Sequence, residues 1–303
     1  MREEPTVYVI TGPTASGKSA LAVELARKIE TDIISADSRQ IYKGIPIVTA
    51  VPDENERGGV CHHLIECISL ESYYSASLFE CDSLSLIDGL LREKKSAIVC
   101  GGSMLYIDAL CNGIDDLPTV PEDFRSSLMK EWRERGDDWL LSMLKSLDPA
   151  YWLKVDQRNL KRVFHAVEIT LTSGTPYSEL IKGEKIKRPF KIIKICLEGN
   201  REKLFERINR RVEEMMRKGL EEEALKVYPK RHLNSLNTVG LKEMFAMFDG
   251  VLTRDEAIKR IQKNTRVYAK KQETWHRRDL NMIRLDFEDG NKKNIEKILY
   301  SEI

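Results

Sequence analysis

Residues 12–19, Gly-Pro-Thr-Ala-Ser-Gly-Lys-Ser, have the types and spacing of a phosphate-binding loop, which we call the phosphate loop. Its glycines allow the backbone to curl so that N–H groups point at phosphate oxygens. Lys18 adds a positive charge, the hydroxyl of Ser19 can hold Mg²⁺, and the helix predicted to follow contributes its positive N-terminal end. The loop therefore predicts a ligand with at least two linked phosphates, and ATP, GTP and another diphosphate all remain open.

A second candidate group, Asp37, follows the apolar segment 33–36. A carboxylate at a strand end beside a phosphate site can hold Mg²⁺ or accept a proton. The alternative is that Asp37 caps a helix, a position that Asp favours. ATP-hydrolysing proteins usually place an acid directly after a later strand, but segment 97–100 continues into Gly-Gly-Ser at 101–103. This difference argues against a motor ATPase or a GTPase.

Apolar segments separated by helical ones predict a parallel sheet. The predicted strands are 7–11, 32–35, 97–100 and 192–197. A repeated strand–loop–helix order is typical of an α/β fold with helices on both faces of the sheet. Binding residues gather at the carboxyl ends of such strands. The phosphate loop, Asp37 and residues 101–103 should therefore meet in one crevice.

The span that begins near Pro118 differs from this pattern because it is helical, contains three of the four tryptophans and lies between strand-bearing regions. Pro121 marks its entry, and a basic Lys/Gly segment that ends at Pro189 marks its exit. The predicted fold is a P-loop NTPase-like parallel sheet sandwiched by helices, with a mostly helical insertion domain. The expected divisions are 1–117 for the first part of the core, 118–190 for the insertion and 191–303 for the completed core with basic helices.

The composition predicts a soluble cytoplasmic protein. The chain has 303 residues, of which 42% are hydrophobic and 32% charged. No apolar segment approaches the roughly 20 residues of a membrane span, and residues 1–5 lead into the first strand without room for a signal peptide. Six scattered cysteines without a Cys-x-x-Cys pair favour a reducing compartment. We expect no membrane partner.

Positive charge is concentrated in the second half of the chain. Residues 1–150 carry a net charge of −10 and residues 151–303 one of +11. Residues 258–278 predict one long helix with two faces. One face has Ile258, Ile261, Thr265, Tyr268, Gln272 and Trp275, and the other has Lys259, Lys263, Arg266, Lys270 and Arg277. A solvated face usually mixes signs, whereas this stripe is almost uniformly basic, which favours contact with a nucleic-acid backbone.

Two smaller clusters of residues could contribute to binding. Residues 158–165, Arg-Asn-Leu-Lys-Arg-Val-Phe-His, combine basic and aromatic groups suited to holding unstacked RNA bases. The His62-His63 pair could suggest a metal site. Adjacent strand residues point to opposite sides, however, and no third ligand lies nearby in the sequence, so we do not expect a metal there.

Further motifs stand along the chain. They are Asp37-Ser-Arg-Gln-Ile-Tyr42, His62-His-Leu-Ile-Glu66, Tyr74-Ser-Ala-Ser-Leu-Phe79, Gly101-Gly-Ser-Met-Leu-Tyr106, Arg211-Val-Glu-Glu-Met215 with Gly219-Leu220, Asn237-Thr-Val-Gly240 and Ala269-Lys-Lys-Gln-Glu-Thr-Trp275. Together with the phosphate loop they resemble the tRNA dimethylallyltransferases, also called isopentenyl-tRNA transferases. The resemblance is to the bacterial type, because the C-terminal zinc finger of eukaryotic relatives is absent.

The resemblance implies transfer of the dimethylallyl group from dimethylallyl diphosphate to the exocyclic amine of the adenosine 3′ of the anticodon in tRNA. The products would be N6-(dimethylallyl)adenosine and diphosphate. Asp37 would be the catalytic base, and Ser103 and Arg211 would act at the diphosphate and the transferred group. Diphosphate-binding residues would be Gly12, Thr14, Ala15, Ser16, Gly17, Lys18 and Ser19, with Mg²⁺ on Ser19. We expect a monomer.

The resemblance also implies a set of tRNA contacts, to which the basic stripe adds two lysines. The set is Asp37, Ser38, Arg39, Gln40, Ser103, Arg125, Lys161, Arg162, His165, Lys263 and Lys270, together with the turn at 237–240. The chain departs from the usual family pattern at Val48, Val51, His165 and Leu241, and it has Ser103 where a threonine is common. Lys is the usual residue at the position of Val51. These departures are expected to shift acceptor affinity or tRNA preference.

Other functions remain open at this point. The phosphate loop and Asp37 would also suit a small-molecule kinase, and the basic half would suit a non-catalytic RNA-binding protein. A small acceptor needs no long cationic surface, which disfavours the kinase and also a prenyltransferase of free adenine nucleotides. Asp37 beside the phosphate loop disfavours the pure binder.

Overall fold

The computed structural model describes residues 4–300, whose strands form one parallel sheet. The strands are β1 (Thr6–Thr11), β2 (Ile33–Ser35), β3 (His62–His63), β4 (Ser96–Cys100), β5 (Lys191–Glu198) and β6 (Ile283–Asp286). Their order is β3-β2-β4-β1-β5-β6, and every neighbouring pair is parallel. The four predicted strands are confirmed, while the two edge strands β3 and β6 were not predicted.

Helices connect these strands. They are α1 (Lys18–Lys28), α2 (Pro46–Thr49), α3 (Glu54–Arg57), α4 (Ala76–Lys94), α5 (Met104–Asn112), α6 (Glu122–Arg135), α7 (Asp137–Leu147), α8 (Pro149–Trp152), α9 (Leu160–Ser173), α10 (Tyr177–Leu180), α11 (Arg201–Arg217), α12 (Leu220–Val227), α13 (Leu241–Phe248), α14 (Arg254–His276) and α15 (Asn291–Tyr300). Short 3₁₀ turns lie at Tyr228–Lys230 and Asn234–Leu236. The predicted long basic helix is α14, which begins earlier than expected because Thr253 and Glu256 form a capping box.

Helices cover both faces of the sheet. Val9, Ile10 and Thr11 are successive residues of β1 and all are fully buried. Successive strand residues point to opposite faces, so neither face is open to solvent. Leu21 and Leu25 of α1 belong to the same buried cluster as Ile10. Burial of each such side chain contributes about 1.5–3 kcal/mol to the stability of the folded state. The predicted α/β sandwich is confirmed.

The chain divides into two compact units. One unit combines the chain up to Cys111 with the chain from Lys187 onward, and the other is Asn112–Ile186. The second unit begins and ends a few residues before the expected boundaries of 118 and 190. Its entry and exit segments are joined, since Ile186 N–H donates to Asn112 O at 2.8 Å and Asp115 accepts from the N–H of Lys182 at 3.0 Å.

The insertion unit has a core of its own. Leu140, Leu144, Val163 and Val167 of α7 and α9 are completely buried in one cluster. Trp132 stacks on Phe164 with ring centroids 5.4 Å apart. The unit is helical as predicted, and its tryptophans belong to this packing. Within residues 4–300 we find no helix of the length and apolarity that a bilayer crossing requires.

The carboxyl ends of β2 and β4 approach each other closely. Gly101 follows β4, and a Cβ at this position would overlap the carbonyl group of Ala36, which follows β2. Gly101 N–H donates to Ile10 O at 3.1 Å, and Ala36 N–H donates to Cys100 O at 2.8 Å. The lack of a side chain at Gly101 therefore brings the segment after β4 against the segment that carries Asp37.

We predict that Gly101→Ala lowers the free energy of unfolding by about 1–3 kcal/mol, because the added methyl group must push the two strand ends apart. Denaturant unfolding measures this effect. The matched control is Gly89→Ala in α4, where the added methyl group meets no atom within 4 Å and a gain of roughly 0.5–1 kcal/mol is expected. Equal stability changes in the two variants would contradict the close approach.

Candidate active site

The three points expected to converge line one cavity of about 370 Å³. Lys18 comes from the phosphate loop after β1, Asp37 from the segment after β2, and Ser103 from the segment after β4. Arg211 reaches the same cavity from α11. The structure confirms that the predicted crevice forms at the carboxyl end of the sheet, as expected for parallel strands.

The carboxylate of Asp37 is oriented by the backbone of the turn that follows it. Its Oδ1 atom accepts hydrogen bonds from the N–H of Arg39 at 2.9 Å and of Gln40 at 3.3 Å. Ser103 fixes the same segment, since its Oγ accepts from Ser38 N–H at 2.8 Å and its own N–H donates to Ala36 O at 3.1 Å. Asp37 thus caps a turn and lines the cavity at the same time.

The phosphate loop leads into the N-terminus of α1. Gly17 occupies the N-cap position, no side chain caps the helix, and its first turn holds no acidic residue. The backbone N–H groups of that turn can therefore meet an anion. Gly12 and Ser16 are buried inside the loop, and Ser16 N–H already donates to Pro13 O at 3.2 Å. Those two residues shape the loop.

Two cations at the phosphate loop, Lys18 within it and Arg211 beside it, have lowered pKa values. Burial lowers the pKa of the Lys18 ammonium, and nearby Arg211 lowers it further, while Asp37 acts in the opposite direction. Burial likewise lowers the pKa of Arg211, whose guanidinium lies 3.4 Å from Thr14 Oγ1. A bound anion between these groups would stabilise the charged form of both.

Helix α14 holds the phosphate loop in place, a role that sequence reasoning missed. Gln272 is buried; its Oε1 accepts from Thr14 N–H at 2.9 Å and its Nε2 donates to Gly102 O at 2.9 Å. His276 Nε2 lies 2.9 Å from Thr11 Oγ1, and burial, with Lys18 and Arg284, lowers the pKa of His276 to about 4. The available signal was a polar Gln on an otherwise mostly apolar helix face.

A second cavity of about 740 Å³ lies against the other side of the phosphate loop. Its cationic lining comes from Arg207, Arg210 and Lys218 of the α11 region, and Arg207 Nη1 lies 3.4 Å from Ser16 O. The residues that line both cavities are Lys18, Ser19, Ala50, Arg211 and Met215. The two cavities therefore meet at the phosphate loop and at the partly buried cations Lys18 and Arg211.

Five of the expected tRNA-contacting residues line the first cavity, namely Asp37, Ser38, Arg39, Gln40 and Ser103. The side chains of Arg39 and Gln40 also have partners within the protein. Arg39 donates to the carbonyls of Asn234 at 2.8 Å and Ser235 at 3.0 Å. Gln40 donates to Thr49 O at 3.1 Å and Ala50 O at 3.0 Å. Ser38, like the turn at 237–240, lines the cavity. The polar atoms of Arg39 and Gln40 thus also shape the wall of the cavity.

The expected tRNA-contacting residues of the insertion unit divide into two groups. Lys161 and Arg162 at the start of α9 are exposed. Arg125 binds the buried Glu168 through two hydrogen bonds of 2.8 and 2.9 Å, and His165 Nδ1 lies 2.9 Å from the same carboxylate. Burial acts to raise the pKa of Glu168, but the hydrogen bonds from His165 and Arg125 outweigh it and lower that pKa.

The expectation that the aromatic of this cluster stacks on RNA bases is wrong for Phe164. Its side chain is 5% exposed, so it packs in the core of the insertion unit. On α14, Lys263 and Lys270 are both exposed, and Lys270 Nζ lies 5.5 Å from the centroid of the Phe205 ring.

Comparison with protein families agrees with this arrangement. The family model described as IPP transferase matches residues 40–279, which is most of the chain. The chain belongs to the IPP transferase family. Among its relatives, tRNA dimethylallyltransferase 2 of Porphyromonas gingivalis is 49% identical over 277 residues, or 91% of this chain and 92% of that protein. The tRNA dimethylallyltransferase of Christiangramia forsetii is 45% identical and covers 97% of both chains.

Solved structures support the same conclusion. The full-length tRNA isopentenylpyrophosphate transferase of Bacillus halodurans is 33% identical, with a TM-score of 0.70 over 97% of this chain and 94% of that one. A eukaryotic dimethylallyltransferase acting on tRNA gives a TM-score of 0.82 at 27% identity, over 96% of this chain and 77% of its own. The predicted family, P-loop-like α/β fold and enzyme class, a prenyltransferase that transfers dimethylallyl to tRNA, are confirmed. The kinase and the non-catalytic RNA binder lose their support.

The positions that depart from the usual IPP transferase pattern lie in different surroundings. Val48 lines the first cavity and Val51 lines the second. Leu241 is completely buried in the core formed by α11–α14. The structure therefore places Val48 and Val51 in the walls of the cavities, whereas Leu241 lines neither and is buried in a cluster with Val212 and Ile261.

We predict that Gln272→Ala destabilises this IPP transferase by about 1–3 kcal/mol, because it leaves the N–H of Thr14 without its partner and the carbonyl of Gly102 with only the longer hydrogen bond from the Tyr268 hydroxyl. It should also weaken diphosphate binding, since Thr14 belongs to the loop. Calorimetric titration with inorganic diphosphate and thermal unfolding measure the two effects. Gln262→Ala, at a partly buried position of the same helix that does not line the first cavity, is the control. If both variants bind diphosphate like the unaltered protein, Gln272 does not hold the loop.

Proposed function

We propose that the enzyme transfers the dimethylallyl group of dimethylallyl diphosphate to the N6 amine of the adenosine 3′-adjacent to the anticodon. The observation that carries this proposal is the junction of two cavities at one cationic loop. The first cavity presents the carboxylate of Asp37, and the second is lined by Arg207, Arg210 and Lys218 together with the acids Asp53, Glu56 and Glu214. A reaction between a nucleophile and a diphosphate ester needs a base next to a group of cations, and Lys18 and Arg211 line both cavities where the two meet.

The second cavity suits the diphosphate of the donor. Arg207, Arg210 and Lys218 line it, and it opens onto Lys18 and Arg211. Burial lowers the pKa of both Lys18 and Arg211, which means that it destabilises their charged forms. An anion bound between them would offset this cost through Coulomb attraction. These cations would stabilise the charge that develops on the leaving oxygen.

The first cavity suits the dimethylallyl group and the base. Its apolar lining includes Ile208, Val212, Met215 and Ile261, which can pack against a five-carbon chain. Its polar lining includes Asp37, Ser38 and Ser103. An adenine must leave its stack to reach such a site, as in other enzymes that act on a base.

In the transfer step, the bond between the allylic carbon and the diphosphate oxygen breaks and a bond from that carbon to adenine N6 forms. The carboxylate of Asp37 would take the proton that N6 loses. Its Oδ1 is held by two backbone N–H groups, so the other oxygen keeps a fixed direction. The phosphate loop, Lys18 and Arg211 would hold the departing diphosphate.

The oxygen donors near the phosphate loop fit Mg²⁺ as the cofactor. The hydroxyl of Ser19 and the carboxylate of Asp37 line the same cavity, and hard oxygen donors beside phosphates are what Mg²⁺ prefers. Ser19 would be its ligand. When bound, the ion would add positive charge at the oxygens of the leaving diphosphate.

We further propose that the exposed Lys263 and Lys270 of α14, and Lys161 and Arg162 of α9, contact the tRNA backbone. Their ammonium and guanidinium groups suit phosphates, and all four are exposed. Arg125 and His165 would act through Glu168, which orients both of them. A cytoplasmic monomer fits these features, and the free cysteines suit a reducing compartment.

We predict that the purified protein, given labelled dimethylallyl diphosphate, Mg²⁺ and unmodified tRNA, places the label on adenosine N6 of the RNA. In Asp37→Asn, kcat should fall by roughly 10²- to 10⁴-fold, because the amide cannot accept the proton. Binding of inorganic diphosphate to this variant should persist. Nucleoside analysis of digested tRNA measures transfer, and calorimetry measures binding.

The control is Asp88→Asn, an exposed residue of α4 that pairs only with Arg92 on the surface of the described chain. Label found only on free adenine nucleotides, or turnover of ATP, would overturn the proposed function. Loss of diphosphate binding in Asp37→Asn would instead assign Asp37 to the metal.

We predict that Lys263→Glu combined with Lys270→Glu weakens tRNA binding and reduces the slope of log affinity against log salt by about one to two. Filter binding across a salt series measures both. The control pair is Lys226→Glu with Lys292→Glu, exposed lysines of α12 and α15. An unchanged slope in the α14 pair would mean that this stripe is only a solvated face.

A further inference from the structure

Three side chains of metal-ligand type gather at the amino end of β2, opposite the end that carries Asp37. Asp32 directly precedes β2, Cys61 directly precedes β3, and His63 belongs to β3. One ligand atom from each lies within 4.8 Å of the others. Cys61 directly precedes the histidine pair in the sequence and was overlooked as a ligand, whereas Asp32 is brought there only by the pairing of β2 with β3.

The separations of these atoms suit a tetrahedral ion. His63 Nε2 lies 3.0 Å from Asp32 Oδ2 and 3.7 Å from Cys61 Sγ. Around an ion with ligand bonds of about 2.0–2.3 Å, tetrahedral geometry keeps ligand atoms roughly 3.3–3.7 Å apart. Small rotations of the three side chains would therefore admit an ion between them.

The backbone holds the cluster in register. Ile33 pairs with His62 in the parallel ladder, and Ile33 N–H donates to Cys61 O at 3.0 Å. Lys94 Nζ lies 2.5 Å from Asp32 Oδ1, the carboxylate oxygen that does not face His63. This ammonium orients the carboxylate as an outer partner of a metal ligand does, and it leaves Oδ2 directed at the cluster.

Solvent can reach the cluster. Cys61 is exposed, whereas the side chains of Asp32 and His63 are 17% and 27% exposed. An ion could enter from the side of the thiol and keep a water as its fourth ligand. This mixture of partial burial and one open side is compatible with reversible binding.

We propose that Asp32, Cys61 and His63 form a binding site for a thiophilic divalent cation, best matched by Zn²⁺. Imidazole, thiolate and carboxylate are ligands of Zn²⁺, whereas Mg²⁺ and Ca²⁺ prefer oxygen alone. Binding would form a metal–sulfur bond, release the thiol proton to solvent and leave the ring proton of His63 on Nδ1. The ion would join the edge strand β3 to the start of β2.

Titration with Co²⁺ tests the site, because tetrahedral Co²⁺ absorbs in the visible and a thiolate ligand adds a sulfur-to-cobalt band in the near ultraviolet. We expect one Co²⁺ per chain with both signals, displaced by Zn²⁺. Cys61→Ser should remove the sulfur band and weaken binding by roughly tenfold or more. Cys81→Ser, which removes another exposed thiol on α4, should change neither.

A second readout is stability, since an ion that binds only the folded state raises Tm. Zn²⁺ should raise the Tm of the unaltered protein and of Cys81→Ser, but not of Cys61→Ser. The thiol of Cys61 is exposed, so its replacement leaves the core intact. Co²⁺ binding without the sulfur band, a band that persists in Cys61→Ser, or equal Zn²⁺ effects on Tm in the two cysteine variants would overturn the proposal.

Discussion

The shape of the first cavity depends on the bridge that Gln272 makes between the segments that follow strands β1 and β4. Its carbonyl accepts from Thr14 of the phosphate loop and its amide donates to Gly102 after β4. A Cβ on Gly102 would overlap that amide nitrogen, so the bridge requires glycine at this position. Because Gln272 is buried, each end of the bridge would cost free energy if it were lost. The helix that carries the basic stripe is for this reason also the support of the phosphate loop.

The segment after β4 has little room for side chains, and no acidic residue directly follows β4. A motor ATPase needs a carboxylate there, but in this chain the space after β4 is filled by the segment that follows β2 and by Gln272. Gly101 and Gly102 allow that approach, and Asp37 supplies the carboxylate from the neighbouring strand instead. The carboxylate is thereby set beside Ser38 and Ser103, in a cavity that also admits Lys18. The close approach at Gly101 thus accompanies a carboxylate after β2 and none directly after β4.

The sequence predicted the parts of the fold that local pattern encodes. Strands β1, β2, β4 and β5 are apolar because both faces of the sheet are covered, and their carboxyl ends carry the predicted site residues. Strand β3 has only two residues, both histidines, and β6 alternates apolar and charged residues at a sheet edge, so neither forms an apolar run. The partners of Arg39 and Gln272 could not be predicted, because these contacts join residues far apart in the chain. Phe164 was misjudged for a related reason, since only the packing of α9 against Trp132 reveals that its ring is buried.

Two interpretations of Asp37, as a cap or as a base, turn out to describe different oxygens of one carboxylate. Backbone N–H groups of Arg39 and Gln40 donate to Oδ1, and although no helix begins at Asp37, these bonds within a turn restrict its side-chain rotamer. A base whose direction is fixed before the substrate arrives loses less entropy in the transition state than a freely rotating one. Arg39 adds to this rigidity by tying the turn to the carbonyls of Asn234 and Ser235. The capping bonds are therefore compatible with the proposed role of Asp37 as the base, because they occupy only Oδ1 of a carboxylate that lines the first cavity.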